Sequence, residues 1–465
     1  MARPLATTVP DLLALLASGD PVPASRLLAL LGISRPVLSR LVREAGTRVL
    51  RLGKGRATHY VARTGTDADS TWPLWRMRAD ATVEELGTLY VLQGERFQFQ
   101  PQADRPNLTR AVDTIAGHFP SLPWFLDDLR PQGFLGRNFA HRRGAELGVP
   151  TDLNRWQLRD TLLAITRTGG TGIGDLLPGS RALELALAEL DAASDAVAAD
   201  ARARRYSHWA DDALAGEDIG SSPGGEQPKF TSTVSTAHGR YAALVKFAVR
   251  DSGQAATRWA DLLACEQLAL ESLREAGLPA SEAELVQAER HLCLEVRRFD
   301  RTPDVLGRRG FGSLLALDAA FVGSGARDWS LAGEQLVALG WIDAATAADM
   351  AVLHWFGRLI GNSDMHPGNL GFHLVDAGPL PLAPAYDMLP MYLAPSRTGA
   401  VRPVAPITPR PPERTGQTPH ITRAAEAALR FWEHVAEATS IQSEEIHAVA
   451  AANREIVARF ARTFQ

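Results

Sequence analysis

The sequence predicts an α+β multidomain chain: a small helical head closed by a hairpin, then a larger body that becomes mainly helical toward its C-terminal part. Three observations predict it. The chain has 465 residues, which at about 150 residues per domain suggests roughly three units. Its composition, 45% apolar and 22% charged, suits ordinary cores and excludes a largely disordered or collagen-like chain. The charge is unevenly divided: residues 1–65 hold ten Lys/Arg against three Asp/Glu, and the rest hold 39 against 50. A basic head on an acidic body points to an anionic partner for the head alone.

Other classes are excluded as cheaply. The two cysteines, Cys265 and Cys293, exclude a disulfide framework and a Cys-rich zinc site. No apolar run approaches the roughly 18 residues of a membrane span. The opening MARPLATTVPDLL lacks the apolar core and cleavage pattern of a signal peptide. The expectation is a cytoplasmic protein with no membrane partner.

The head reads in order. Asp11–Ala17 has helical apolar spacing, and Ser25–Leu31 is a second short helix ended by Gly32. Ser34 is placed to cap a third helix, with Pro36 in its first turn. Val37, Leu38, Leu41 and Val42 form its apolar face, leaving Arg35, Ser39, Arg40 and Arg43 for the other. Val49–Arg51 and Thr58–Val61 read as strands joined around Gly53–Arg56, which carries Lys54 and Arg56. Three helices and a basic hairpin resemble a winged helix-turn-helix. That arrangement would seat one helix in a DNA major groove and set Lys54 and Arg56 against phosphates. Residues 1–65 are therefore expected to bind double-stranded DNA, and paired half-sites would suit a homodimer. A helical domain with an ordinary charged surface is the alternative.

Residues 62–71 read as a linker. Thr82–Gln98 suggests strands, 119–136 a packed loop or short helices, and Trp156–Ile165 and Arg181–Ala199 helices. Gly169–Gly172 reads as a turn. Gly220–Phe230 precedes a strand at Ala242–Phe247; its glycines would let backbone N–H groups approach phosphates, with Lys229 close by. It lacks Walker A spacing. Lys246 is a lysine in an otherwise apolar strand, a position that calls for a partner. The helix from Trp259 to Ala276 offers Glu266 or Glu271, of which Glu266 comes earlier. Leu292–Val296 is a strand feeding Arg297–Arg301, a hinge for an adenine or a surface salt-bridge cluster.

The most informative segment runs from Leu359 to Phe372, after a helix at Ala345–Ile360. Asp364 is suited to accept a hydroxyl proton, and Asn369 to ligate magnesium through its carbonyl oxygen. Asp387 follows in PAYDMLP, and two short strands at Leu370–Leu374 and Pro381–Pro384 would return it to Asn369. His366 reads as a loop-stabilising residue, since His366 and His373 make no recognisable zinc spacing. Residues 401–420 are a proline-rich excursion. Ile421–Ala436 and Ser443–Phe460 are closing helices, the second with Ile446, Val449, Ile456 and Phe460 toward the core.

The motifs SSPGGEQPK, LVKF, RRFDR, GNSDMHPGNLGF and PAYDMLP resemble those of the HipA-like serine/threonine kinases associated with type II toxin–antitoxin systems. The resemblance spans roughly residues 80–440. It implies a two-lobed protein-kinase-like fold using ATP and magnesium, with 66–250 as N-terminal lobe and 251–465 as C-terminal lobe. It assigns Ser222 to Lys229 to the phosphate loop, Lys246 to the nucleotide, Arg297–Phe299 to the adenine hinge, Asp364 to catalysis, and Asn369 and Asp387 to magnesium. Ser222, with Ser221 beside it, resembles a loop serine that is autophosphorylated in some members. Pro228 departs from the family's loop, and the fused head resembles a longer subgroup. The expected activity is transfer of phosphate to serine or threonine of a protein whose identity the sequence does not specify. A nucleotide-sensing transcriptional regulator and a small-molecule kinase are the alternatives.

Overall fold

The computed structural model describes residues 7–464 other than 66–69, 111–114, 168–171, 192–195, 216–226, 251–252, 305, 326 and 397. The expected turn at 169–172 lies almost wholly outside these residues, as do Ser221 and Ser222. The architecture is mixed α/β and multidomain, with two five-stranded sheets and a C-terminal helical layer.

The head begins with α1 (Val9–Leu15), β1 (Val22–Pro23), α2 (Ala24–Leu31) and α3 (Arg35–Ala45). It ends with β2 (Val49–Leu52) and β3 (His59–Ala62), which join β1 in the order β1-β3-β2. Leu12, Leu16, Leu27, Leu38 and Leu41 are buried together in its core. The apolar residues recur every three or four positions, so each helix turns one stripe inward.

Within the stretch 62–71, the described residues around Arg63 and Thr64 are not a free linker. Arg63 bridges to Leu92, the Thr64 N–H reaches the Val91 carbonyl at 3.1 Å, and the Arg63 guanidinium lies over the Tyr90 ring. Leu52 and Val61 of the head share a small buried cluster with Leu92, and Asp20 pairs with Arg96 at 2.5 Å. Polar composition concealed this docking because hydrogen bonds and one apolar seam carry it.

The middle region builds the first sheet from β4 (Thr71–Met77), β5 (Val83–Val91) and β6 (Phe97–Pro101). After α4 (Pro106–Thr109), β7 (His118–Phe119) adds one edge. Then follow α5 (Trp124–Asp127), α6 (Gly133–Leu147) and α7 (Leu158–Arg167), and β8 (Leu176–Pro178) adds the other edge. Next comes α8 (Ser180–Asp191), whose described residues cover the first part of the expected helix Arg181–Ala199. Val197–Ala198 is instead a strand, β9, paired in parallel with Val234–Ser235. Sheet pairing overrides alanine's helix propensity there.

The second sheet follows α9 (Arg202–Ala215). It consists of β9, β10 (Lys229–Thr236) and β11 (Gly239–Val249), then, after α10 (Gln254–Glu275), β12 (Ala283–Gln287) and β13 (His291–Arg297). The expected lobe boundary at 250/251 falls inside this sheet: β11 pairs with β13 from Ala243–Arg297 to Val249–His291.

The rest is β14 (Gly312–Ser313), α11 (Leu314–Leu317), α12 (Trp329–Ala338), α13 (Ala344–Leu359), β15 (Gly371–Phe372), α14 (Thr418–Glu437) and α15 (Glu444–Arg462). The proline-rich stretch ends earlier than expected, because Thr418 opens α14 with Pro419 in its first turn, a position where the missing N–H costs nothing. Ile446 and Val449 are buried, while Ile456 and Phe460 are partly buried against the same core. Asp261 of α10 accepts N–H bonds from Gln442 (2.7 Å) and Ser443 (3.2 Å), fastening that helix to the entry of α15. Asp376 pairs with both Arg76 and Arg105, fastening the first sheet to the C-terminal half. No helix among the described residues is long and apolar enough to cross a membrane.

Candidate active site

Alternation along β11 separates two jobs. Ala243, Val245 and Phe247 face Tyr206 and Ala210 of α9 in one apolar cluster. Leu244 and Lys246 therefore point to the opposite face, where they line a cleft of about 710 Å³. Its other walls include Glu266, Val296–Asp300, Asn369, Tyr386 and Asp387, together with residues of the middle region.

Lys246 is almost wholly buried, at 4% exposure. Its ammonium donates to both carboxylate oxygens of Glu266, at 2.6 and 2.7 Å, and to Asp387. Lys229 lies directly opposite Lys246 in the β10–β11 register. Two ammoniums thus face two carboxylates. Burial would raise the Asp387 pKa, but the charges of Lys246 and Lys229 outweigh it and bring it down to about 2. Burial dominates at Glu266 and pushes its pKa up, and Lys246 only partly opposes it. Lys246 itself is held charged, its pKa raised by the two carboxylates against the opposing pull of burial.

The loop bearing Asp364 and Asn369 starts from a well-formed helix end. Asn362 N–H reaches back to the Gly357 carbonyl (2.8 Å) and Gly361 N–H to that of Arg358 (3.3 Å), the two bonds of a Schellman cap. Gly361 has φ +74, and a Cβ there would meet the Tyr392 ring at 2.4 Å. The freed Asn362 side chain then works in both directions: its Oδ1 accepts from Asp364 N–H at 3.0 Å, and its Nδ2 donates to the Asp387 carbonyl at 3.3 Å. His366 Nδ1 accepts the Gly368 N–H at 3.0 Å, as expected of a loop-stabilising histidine. Asn369 Nδ2 donates to the Asp364 carbonyl at 2.9 Å, so the amide's acceptor oxygen remains for a cation.

Asp387 returns to this loop as the strand spacing predicts. Phe372 bridges Leu382, and Ala383 N–H bonds the Gly371 carbonyl at 2.9 Å. Asp387 sits at φ +53, a left-handed conformation that aspartate tolerates better than most residues and that often marks a working site. Tyr386 beside it donates to the Gly368 carbonyl at 2.7 Å and stacks on Phe299, ring centres 5.8 Å apart.

Lys246, Asn369, Asp387, Arg297 and Phe299 are thus brought to one cleft, with Lys229 beside them. Asp364 is exposed and lies off the cleft's lining, tied to it through Asn369. Arg297 lies partly outside its expected role. Its N–H bonds the Glu282 carbonyl, its guanidinium pairs with Glu282 and covers the Tyr241 ring, and Arg298 N–H bonds Ala242. Both backbone donors are committed to the sheet, and Phe299 is the side chain that the segment contributes to the aromatic wall. The head cations Arg35, Arg40, Arg43, Lys54 and Arg56, with Ser39, are all exposed and remote in sequence from the cleft.

Sequence reasoning missed Asp128 and Tyr386. Asp128 lines the cleft from the middle region, accepts Ser313 N–H at 2.7 Å, and has its pKa raised to about 6 by burial. No local pattern marks it, because its neighbours in space come from 185 residues away. Tyr386 stood inside PAYDMLP, where its place next to Asp387 was the available signal.

A family model described as the HipA-like C-terminal domain matches residues 221–463, and one described as the YjjJ-like toxin, middle domain matches residues 68–187. The chain belongs to the HipA-like toxin family. Within it, the chain is similar to Toxin YjjJ of Escherichia coli (strain K12), with 37% identity over 407 residues, 87% of this chain and 88% of that protein. Solved structures give more distant likenesses. HipA from the Shewanella oneidensis MR-1 complex of HipA, HipB and operator DNA aligns over 84% of this chain and 97% of its own, at 12% identity and a TM-score of 0.48. The Helicobacter pylori proinflammatory kinase CtkA aligns over 51% and 90%, at 13% identity and a TM-score of 0.36.

Proposed function

We propose that the chain is an ATP- and magnesium-dependent serine/threonine protein kinase of HipA type, with a DNA-binding head formed by residues 1–65. One observation carries the catalytic reading: a buried lysine is held by two carboxylates in a cleft that also contains the asparagine of the GNSDMHPGN loop. Phosphoryl transfer asks for these parts and little covalent chemistry, since positioning and charge stabilisation do most of it.

In this reading Lys246 and Lys229 hold the ATP phosphates, and Glu266 keeps Lys246 aimed. The Asn369 oxygen and the Asp387 carboxylate are hard donors of the kind magnesium takes beside substrate phosphates. When bound there, magnesium would shield the phosphate oxygens and orient the γ-phosphoryl group. Asp364, on the rim, accepts the proton of the incoming hydroxyl, the new O–P bond forms, and ADP leaves. The exposure of Asp364 suits an acceptor side chain delivered by another protein or by the chain's own Ser221 or Ser222.

The head reading rests on three helices, a three-stranded sheet and five exposed cations around α3 and the β2–β3 turn. These elements support a winged helix-turn-helix reading, in which α3 would be the groove helix.

The test is transfer from γ-labelled ATP with magnesium, wild type against Asp364→Ala, followed by mass mapping. Label on Ser221, Ser222 or an added extract protein, lost in the variant, is expected. ATP binding without transfer to any protein, in wild type as in the variant, overturns the protein-kinase reading and leaves a nucleotide sensor or a small-molecule kinase.

A further inference from the structure

The cleft face of the second sheet can be followed row by row. Lys246 lies opposite Leu294, and Leu294 opposite Leu285. In the next row Leu244 lies opposite Val296, and Val296 opposite Ala283. Leu244, Lys246 and Val296 all line the cleft. Ser281 stands two residues before Ala283, so alternation puts it on the same face, one row beyond Val296 and away from Lys246. The bond from Arg297 N–H to the Glu282 carbonyl carries the ladder toward that row. Ser281 is also fixed from the other side. Its N–H bonds the Ala385 carbonyl at 3.0 Å, and Ala280 bridges Ala385.

Ser281 lines the cleft, is 3% exposed, and its Oγ has no hydrogen-bond partner among the described residues. Buried hydroxyls are nearly always paired, because an unpaired one has given up its bonds to water for nothing. The row of Lys246 and Lys229 is where the proposed function seats the ATP phosphates, and Ser281 lies on the far side of Leu244 and Val296 from it. Leu244, Val296 and the stacked Phe299–Tyr386 pair give this part of the cleft apolar walls suited to a flat ring. The Arg297 and Arg298 N–H groups, at the same end of the sheet, are spent on Glu282 and Ala242. The Ser281 hydroxyl is unspent.

We propose that Ser281 is a specificity-determining residue for the nucleotide base, its Oγ accepting a hydrogen bond from the 6-amino group of adenine. This inference rests on the ATP reading of the cleft and adds a residue to it. A hydroxyl can also turn and donate, so the position tolerates the 6-oxygen of guanine. What it disfavours is a purine with nothing polar at that carbon.

The test is calorimetric titration of the full chain, with magnesium, using ATP and purine riboside triphosphate, which carries hydrogen in place of the 6-amino group. Wild type should bind ATP about 3- to 10-fold more tightly than the analogue, the worth of one neutral hydrogen bond. Ser281→Ala should lose that preference by weakening ATP alone, and Ser281→Thr, which keeps the hydroxyl, should retain it. A merely structural role would weaken both nucleotides equally. Ser281→Cys, close in shape and a poor hydrogen-bonding group, takes the place of the alanine variant if that one does not fold. No preference in wild type, or the same preference in wild type and Ser281→Ala, overturns the proposal while leaving the ATP reading intact, and assigns the hydroxyl to a bound water. Failure of wild type to bind either nucleotide overturns the ATP reading and this proposal with it.

Discussion

The cleft and the head both rely on lysine and arginine, and they arrange them in opposite ways. In the cleft Lys246 is buried and fixed by Glu266 of α10 and by Asp387 of the returning loop. On the head, Arg35, Arg40, Arg43, Lys54 and Arg56 are exposed, and Arg40 has only a helical neighbour, Glu44, at 3.7 Å. A buried charge is specified by particular partners from distant elements, so each residue counts heavily. Exposed charges act as a sum, so each counts little.

That contrast predicts the largest effect at Lys246. Lys246→Met strands Glu266 and Asp387 without their cation, and breaking a buried pair costs about 3–5 kcal/mol. Urea unfolding should show this, along with loss of phosphoryl transfer. Adding Glu266→Leu should recover part of the stability but none of the transfer, since an apolar replacement of a buried pair is close to neutral. A stability loss under about 1 kcal/mol in the single variant would break the comparison, because Lys246 would then behave like a surface cation.

Asp364→Ala comes next, and it separates chemistry from packing. Asp364 is exposed, so stability should stay within about 0.5 kcal/mol of wild type. Transfer should fall by roughly 10²–10⁴, the usual worth of a positioned acid–base group. Equal losses of stability and transfer would instead make Asp364 a structural member of the loop.

The same contrast explains what was legible in the sequence. Lys246 stood out as a cation in an apolar strand, and Asp364, Asn369 and Asp387 stood out through turn-rich spacing. Helices α10 and α13 and strand β11 were visible in periodicity. What was hidden depends on pairing over long distance. Val197–Ala198 is a strand only because β10 lies beside it, and residues 62–71 look like a linker until Arg63 and Thr64 meet Val91 and Leu92. The hinge expected at Arg297–Phe299 was equally hidden, because strand register, not composition, decides that Glu282 takes the Arg297 N–H and Ala242 the Arg298 N–H.

The pH dependence sharpens the comparison within the cleft itself. Asp387 has its pKa lowered to about 2, so its contribution is complete above its ordinary 3.8 and is lost as pH falls through about 2. Asp128, raised to about 6 by burial, has the opposite sign. Its carboxyl favours the fold most below pH 3.8, and that advantage disappears as pH rises through about 6. Asp128→Asn keeps an acceptor for the Ser313 N–H and removes the buried charge. It should flatten the stability profile between about pH 4 and 6 and gain on the order of 2–3 kcal/mol at neutral pH. Unfolding midpoints across that range check it, and an unchanged slope would mean that Asp128 stays solvated.

The smallest single effects belong to the head. Lys54 and Arg56 sit in the turn between β2 and β3, exposed on either side of Gly55. If each neutralises one DNA phosphate, Lys54→Ala should lower the slope of log affinity against log salt by about 0.9, and Arg56→Ala should add a similar step. Fluorescence anisotropy with duplex DNA over a salt series measures it. Neither variant should alter phosphoryl transfer, because these side chains make none of the contacts that hold the head to the body. Among the described residues those contacts include Leu52 and Val61 against Leu92, Arg63 and Thr64 with the Tyr90–Leu92 stretch, and Asp20 with Arg96. Asp20→Ala removes a contact of the opposite kind: it should leave the salt slope intact and, as the loss of a partly exposed pair, cost at most about 1 kcal/mol. A salt slope that changes in Asp20→Ala but not in Lys54→Ala would move the DNA surface away from the β2–β3 turn and toward the seam with the body.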